Sequence, residues 1–60
     1  MIILAPDGES VLGIVKENNE MYAGFIYNSG IGKDFVIEYD DNFTFEENFD
    51  CLIETINEEW

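Results

Sequence analysis

The spacing of hydrophobic positions along the chain changes once. Up to about residue 40, apolar residues come in short runs broken by turn residues, and beyond it they recur at helical spacing. Ile2 to Leu4 is a short apolar run. Pro6-Asp7-Gly8 follows as a turn signal, because Pro presets φ, Asp bonds its own backbone and Gly accepts a positive φ. Ser10 to Glu17 is rich in β-branched residues and too short and Gly-interrupted for a helix, which predicts a strand. Asn18-Asn19 reads as a two-residue hairpin turn, since Asn enters the left-handed region more easily than other non-Gly residues. Glu20 to Tyr27 is the next strand, and Gly24 inside it marks a bulge or a close backbone approach. Asn28 to Lys33 reads as a loop, and Asp34 to Tyr39 as the last strand, ended by Asp40-Asp41-Asn42. The expected strands cover about 1–5, 10–17, 20–28 and 34–39.

The final segment carries the strongest pattern. Thr44 followed three residues later by Glu47 is a capping box, although the N4 position of a hydrophobic staple is the polar Asn48. Phe45, Phe49, Leu52, Ile53, Ile56 and Trp60 fall within about a 100° stripe of a helical wheel, which predicts an amphipathic helix over about 45–59. The expected architecture is α+β: a three- to four-stranded antiparallel β-meander with one C-terminal amphipathic helix packed on one face, in a single domain spanning 1–60. One helix covers one sheet face. The central strand offers Met21, Ala23, Phe25 and Tyr27 on one side and Tyr22 and Ile26 on the other. An aromatic face left open marks an interface, here with a second copy or another protein, unless loops cover it.

Composition narrows the chemistry. Sixty residues bury only about 60% of the unfolded chain's surface, so the core is marginal. Apolar residues at 47% and aromatics at 15% nevertheless place the chain among folded proteins. With no His and one Cys, it cannot build a zinc finger, a Cys–His nucleophile or a histidine base. The opening residues lack the basic region and apolar length of a signal peptide, and no run reaches the roughly 20 residues of a membrane span. A lone Cys51 suits a reducing cytoplasm, and its place beside the acidic face of the helix suggests a half-buried thiol. The chain from Met1 to Trp60 reads as a complete small gene product.

Charge is the extreme feature. Fourteen acids against two lysines give a formal −12, beyond the magnitude of about 2 to 8 usual for a small domain. Direct binding to nucleic-acid phosphates or anionic lipid is thereby excluded, since both need clustered positive charge. Both lysines lie before residue 34. From Asp34 onward there are ten acids and no base: Asp34, Glu38, Asp40, Asp41, Glu46, Glu47, Asp50, Glu54, Glu58 and Glu59. On the wheel Glu47, Asp50, Glu54 and Glu58 cluster within about 80°, opposite the apolar stripe, with Glu46 beside them. Glu47 to Glu58 spans about 16 Å, so the row carries one charge per roughly 5 Å, against one per 3.4 Å along a single DNA strand. Asp40 and Asp41 extend the row at the helix start. The plain alternative is a solvated face that keeps a small protein soluble.

Other motifs fail on spacing. Gly30-Ile31-Gly32-Lys33 lacks the upstream Gly of a phosphate-binding loop and is followed by Asp instead of Ser or Thr. A calcium loop starting at Asp40 would need Gly and Glu where Phe45 and Cys51 stand. Paired carboxylates serve acid–base catalysis only in a dry pocket, for which so small a chain has little room. No catalytic residue, metal site or cofactor is therefore expected.

In size, in its −12 charge and in the one-sided acidic stretch from Asp34 to Glu59, the chain resembles small phage-encoded proteins that mimic nucleic acid. These include anti-CRISPR and anti-restriction proteins and inhibitors of uracil-DNA glycosylase. The resemblance implies a stoichiometric inhibitor, not an enzyme, that blocks the cationic nucleic-acid-binding groove of a defence or DNA-processing protein in the host cytoplasm. The expected contact residues are Glu46, Glu47, Asp50, Glu54 and Glu58, extended by Asp40 and Asp41. The alternative is an antitoxin- or immunity-type module, or a homodimer, that binds through the open sheet face at Tyr22 and Ile26.

Overall fold

The computed structural model describes all 60 residues as β1 (Ile2–Leu4), β2 (Val11–Glu17), β3 (Glu20–Tyr27), β4 (Gly30–Ile31), β5 (Phe35–Glu38) and α1 (Phe45–Glu59). The fold is α+β, with an open antiparallel sheet and one C-terminal helix. The helix bounds match the periodicity, and the four expected strands appear one or two residues shorter at their ends.

Local chemistry sets each connection. Asp7 holds the β1–β2 turn. Its Oδ1 accepts the Glu9 and Ser10 N–H groups at 2.9 and 2.8 Å, its Oδ2 accepts the Ser10 hydroxyl at 2.7 Å, and Gly8 supplies φ +75°. Asn18, at φ 52°, closes the β2–β3 hairpin, which pairs Glu17 with Glu20 and Leu12 with Phe25.

The segment read as a loop over Asn28–Lys33 contains a strand, and this corrects the sequence expectation. β4 returns along the end of β3, pairing Tyr27 with Gly30 and Ile26 with Ile31, and β5 continues along the same edge, pairing Ala23 with Phe35 and Glu20 with Glu38. A bulge at Gly32–Asp34 separates the two. There Gly32 and Asp34 donate to the carbonyls of Phe25 and Ala23, and the Asp34 carboxylate accepts the Phe25 N–H at 3.2 Å. Gly24 sits opposite, where a Cβ would run into the Gly32 carbonyl, so the close approach that an interior strand glycine signals is realised. Two-residue β4 is too short to show an alternation, which is why pattern alone missed it.

The helix lies across β3 and β5 and closes a core of Ala5, Leu12, Ile14, Met21, Ala23, Leu52 and Ile56. Ile3, Phe35, Ile37, Tyr39, Phe49 and Ile53 pack around it. Strand alternation then fixes the outer face as Ile2, Leu4, Val11, Val15, Tyr22, Ile26, Ile31 and Val36. Two members of the expected apolar stripe sit at its ends and remain exposed: Phe45, and Trp60, whose ring reaches Phe25 and Phe35 at 6.3 and 6.0 Å.

Candidate partner-binding face

The helix presents its acids outward because its N-terminus is capped and Asn48, Leu52 and Ile56 are buried on the opposite side. At the N-terminus the capping box forms as expected. The Thr44 hydroxyl accepts the Glu47 N–H at 3.1 Å, and the Glu47 carboxylate accepts the Thr44 N–H at 2.9 Å. Asn48 adds a contact that the sequence reading missed. Only 3% exposed, its side chain accepts the Asp40 N–H at 2.9 Å and donates to the carbonyls of Asp40 and Thr44 at 3.0 and 2.9 Å. Asp40 and Asp41 are thereby held at the N-terminal end of the helix. The available signal was the failed staple, in which a polar N4 residue stands next to an apolar stripe.

Glu46, Glu47, Asp50, Glu54 and Glu58 are all exposed, as are Asp40 and Asp41. No cation neutralises them. The sole ion pair joins Lys33 to Glu20 at 3.0 Å on the sheet. Glu20 needs that partner, because its cross-strand neighbours are Glu17 and Glu38. The Glu20 hydrogen bond first, and then its charge, raise the Lys33 ammonium above its ordinary range. Lys16 is placed over the Tyr39 ring at 4.8 Å. The last helical turn holds no basic residue, so Glu58 and Glu59 stand uncompensated at the negative end of the helix dipole. Glu47 has a second role, since one of its carboxylate oxygens caps the helix.

The two residues proposed for the sheet face separate. Ile26 is exposed on the outer face, with Ile2, Leu4, Val11 and Val36 also exposed there. Tyr22 is buried, which corrects the expectation of an open aromatic face. The Lys33 ammonium lies 4.9 Å from its ring centre, its hydroxyl donates to Glu17 at 3.4 Å, and Val36 is its cross-strand neighbour. The outer face is aliphatic. Its extension onto β1 and β2 could have been read from the alternation of Ile2 with Leu4 and of Val11 with Val15. Cys51, expected to be half-buried, is exposed.

No three metal-ligating side chains converge, and no helix is long and apolar enough to cross a membrane. One groove of about 400 Å³ lies between Met1 and the first two helical turns, lined by Phe45, Glu46, Phe49 and Asp50. No protein-family model, curated protein or solved structure matches the chain.

Proposed function

We propose that this chain is a stoichiometric protein inhibitor that mimics nucleic acid. It would act in the cytoplasm, occupying the cationic nucleic-acid-binding groove of a defence or DNA-processing protein. One observation carries the proposal: Glu46, Glu47, Asp50, Glu54 and Glu58 all project into solvent from a single rigid helix, and neither lysine forms an ion pair with them. Like charges at i, i+4 destabilise a helix by about 0.2–0.5 kcal/mol per pair. Asp50, Glu54 and Glu58 form two such pairs in succession, and Glu58 adds a dipole penalty. A row of anions at near-phosphate density attracts the lysines and arginines that bind a nucleic-acid backbone.

The test is competitive capture. The immobilised protein is challenged with bacterial lysate, and bound proteins are eluted by a salt gradient or by added duplex DNA. Mimicry predicts nucleic-acid-binding proteins that DNA displaces and that elute steeply with salt. It also predicts that capture is lost when Glu46, Asp50, Glu54 and Glu58 are replaced by Lys. Partners that resist both DNA and salt would overturn it.

A second reading is supported by the aliphatic outer face, where Ile2 and Leu4 are 67% and 65% exposed and Ile26 is 48% exposed. An antitoxin- or immunity-type partner, or a second copy, would bury that face. Ile26→Asp would abolish such binding and leave electrostatic capture intact.

A further inference from the structure

Building on the nucleic-acid mimicry proposed above, we infer that the groove between Met1 and the start of the helix is a receptor for an arginine side chain of the partner protein. The groove, of about 400 Å³, opens beside the first two turns of the helix. Its apolar part is formed by Met1, Phe45 and Phe49, with the two phenyl rings 6.5 Å apart and nearly parallel at 10°. Glu46 and Asp50, themselves one helical turn apart, supply its polar part. Both carboxylates are exposed and neither forms an ion pair, with the N-terminal ammonium or with any other cation.

This combination selects its occupant. An anion is repelled by the two carboxylates and by the net −12. A neutral apolar group would leave the carboxylates unused. A cation satisfies them, and the phenyl faces add attraction through their quadrupole. Among side-chain cations, guanidinium fits better than ammonium. It is planar and weakly hydrated, it stacks on aromatic faces, and it offers a fork of donors to carboxylates. Proteins that bind nucleic acid stack arginine on base planes as well as pairing it with phosphate. Phe45, 43% exposed at the head of an acidic helix, would supply the base-like plane beside phosphate-like charges.

The experiment is an amide NMR titration with N-acetylarginine amide and, separately, N-acetyllysine amide. The arginine probe should shift Ile2 and the amides from Phe45 to Asp50 in a saturable way and bind about two- to five-fold more tightly than the lysine probe. Phe45→Leu keeps an apolar side chain but removes the ring, and should erase that preference. Glu54→Gln with Glu58→Gln should preserve it. Equal, non-saturating shifts for both probes along the helix, or a preference that survives Phe45→Leu, would overturn the inference. The captured partner separates the two proposals. If the Lys-substituted helix loses the partner while Phe45→Leu binds it unchanged, the groove is wrong and mimicry stands. If the captured partner resists both DNA and salt but is lost with Phe45→Leu, while the arginine probe fills the wild-type groove, mimicry is wrong and the groove stands.

Discussion

Asn48 grips both backbone polar groups of Asp40, accepting from its N–H at 2.9 Å and donating to its carbonyl at 3.0 Å. One side chain thus joins the exit of the last strand to the second turn of the helix. It also holds the loop acids Asp40 and Asp41 at the head of the helical row.

Removing that grip should destabilise the fold. Asn48→Ala loses three hydrogen bonds at a buried position, for an expected loss of about 1–3 kcal/mol, and each kcal/mol lowers Tm by about 4–8 °C in a domain of this size. Asn48→Asp should be at least as damaging at neutral pH, because it sets an oxygen against the carbonyls of Asp40 and Thr44. Thermal unfolding followed by circular dichroism measures both.

Gly24 and Gly13 should differ in their tolerance of alanine. A Cβ at Gly24 meets the Gly32 backbone, which the bulge holds in place, whereas one at Gly13 meets the tip of the Ile31 side chain at 2.5 Å. A side-chain tip can swing away and a hydrogen-bonded strand cannot. Gly24→Ala should cost about 1–3 kcal/mol or more, and Gly13→Ala clearly less. Chemical denaturation of the two variants compares them directly.

The acidic row should make stability depend on salt. Raising sodium chloride from about 20 to about 500 mM screens the uncompensated carboxylates and should raise Tm. Glu59→Lys, which places a cation at the C-terminal end of the helix, should add about 0.3–1 kcal/mol. A Tm that falls with salt would show that the carboxylates are compensated in the folded state.

Two groups give opposite pH signatures. The N–H of Glu9, then the Ser10 hydroxyl and N–H, lower the Asp7 carboxyl below its ordinary 3.8. Its contribution is present above that value and is lost as pH falls through the lower folded value, so the stability gap to Asp7→Asn should close in acid. Lys33 is raised above 10.5 by Glu20. Its contribution is complete below that value and is lost as pH climbs through the higher folded value, so the gap to Lys33→Met should close in alkali. Unfolding scans across pH test both signs.

The sequence by itself determined the helix, its cap and its charge. Thr44 and Glu47 satisfy each other within one turn, and the period of Phe49, Leu52 and Ile56 fixes which side turns inward, leaving Glu47, Asp50, Glu54 and Glu58 outside. It also determined the Asn18 hairpin. These features depend on residues a few positions apart, where propensity and spacing suffice. Only the tertiary structure decided which face of β3 the helix covers, because Met21–Ala23 and Tyr22–Ile26 are both apolar enough to be buried. The same holds for the burial of Tyr22 under Lys33, eleven residues away in the chain, and for the hold of Asn48 on Asp40. The groove joining Met1 to Phe45 and Phe49 is likewise a product of long-range packing. Each of these depends on which distant backbone arrives alongside, and no local period encodes that.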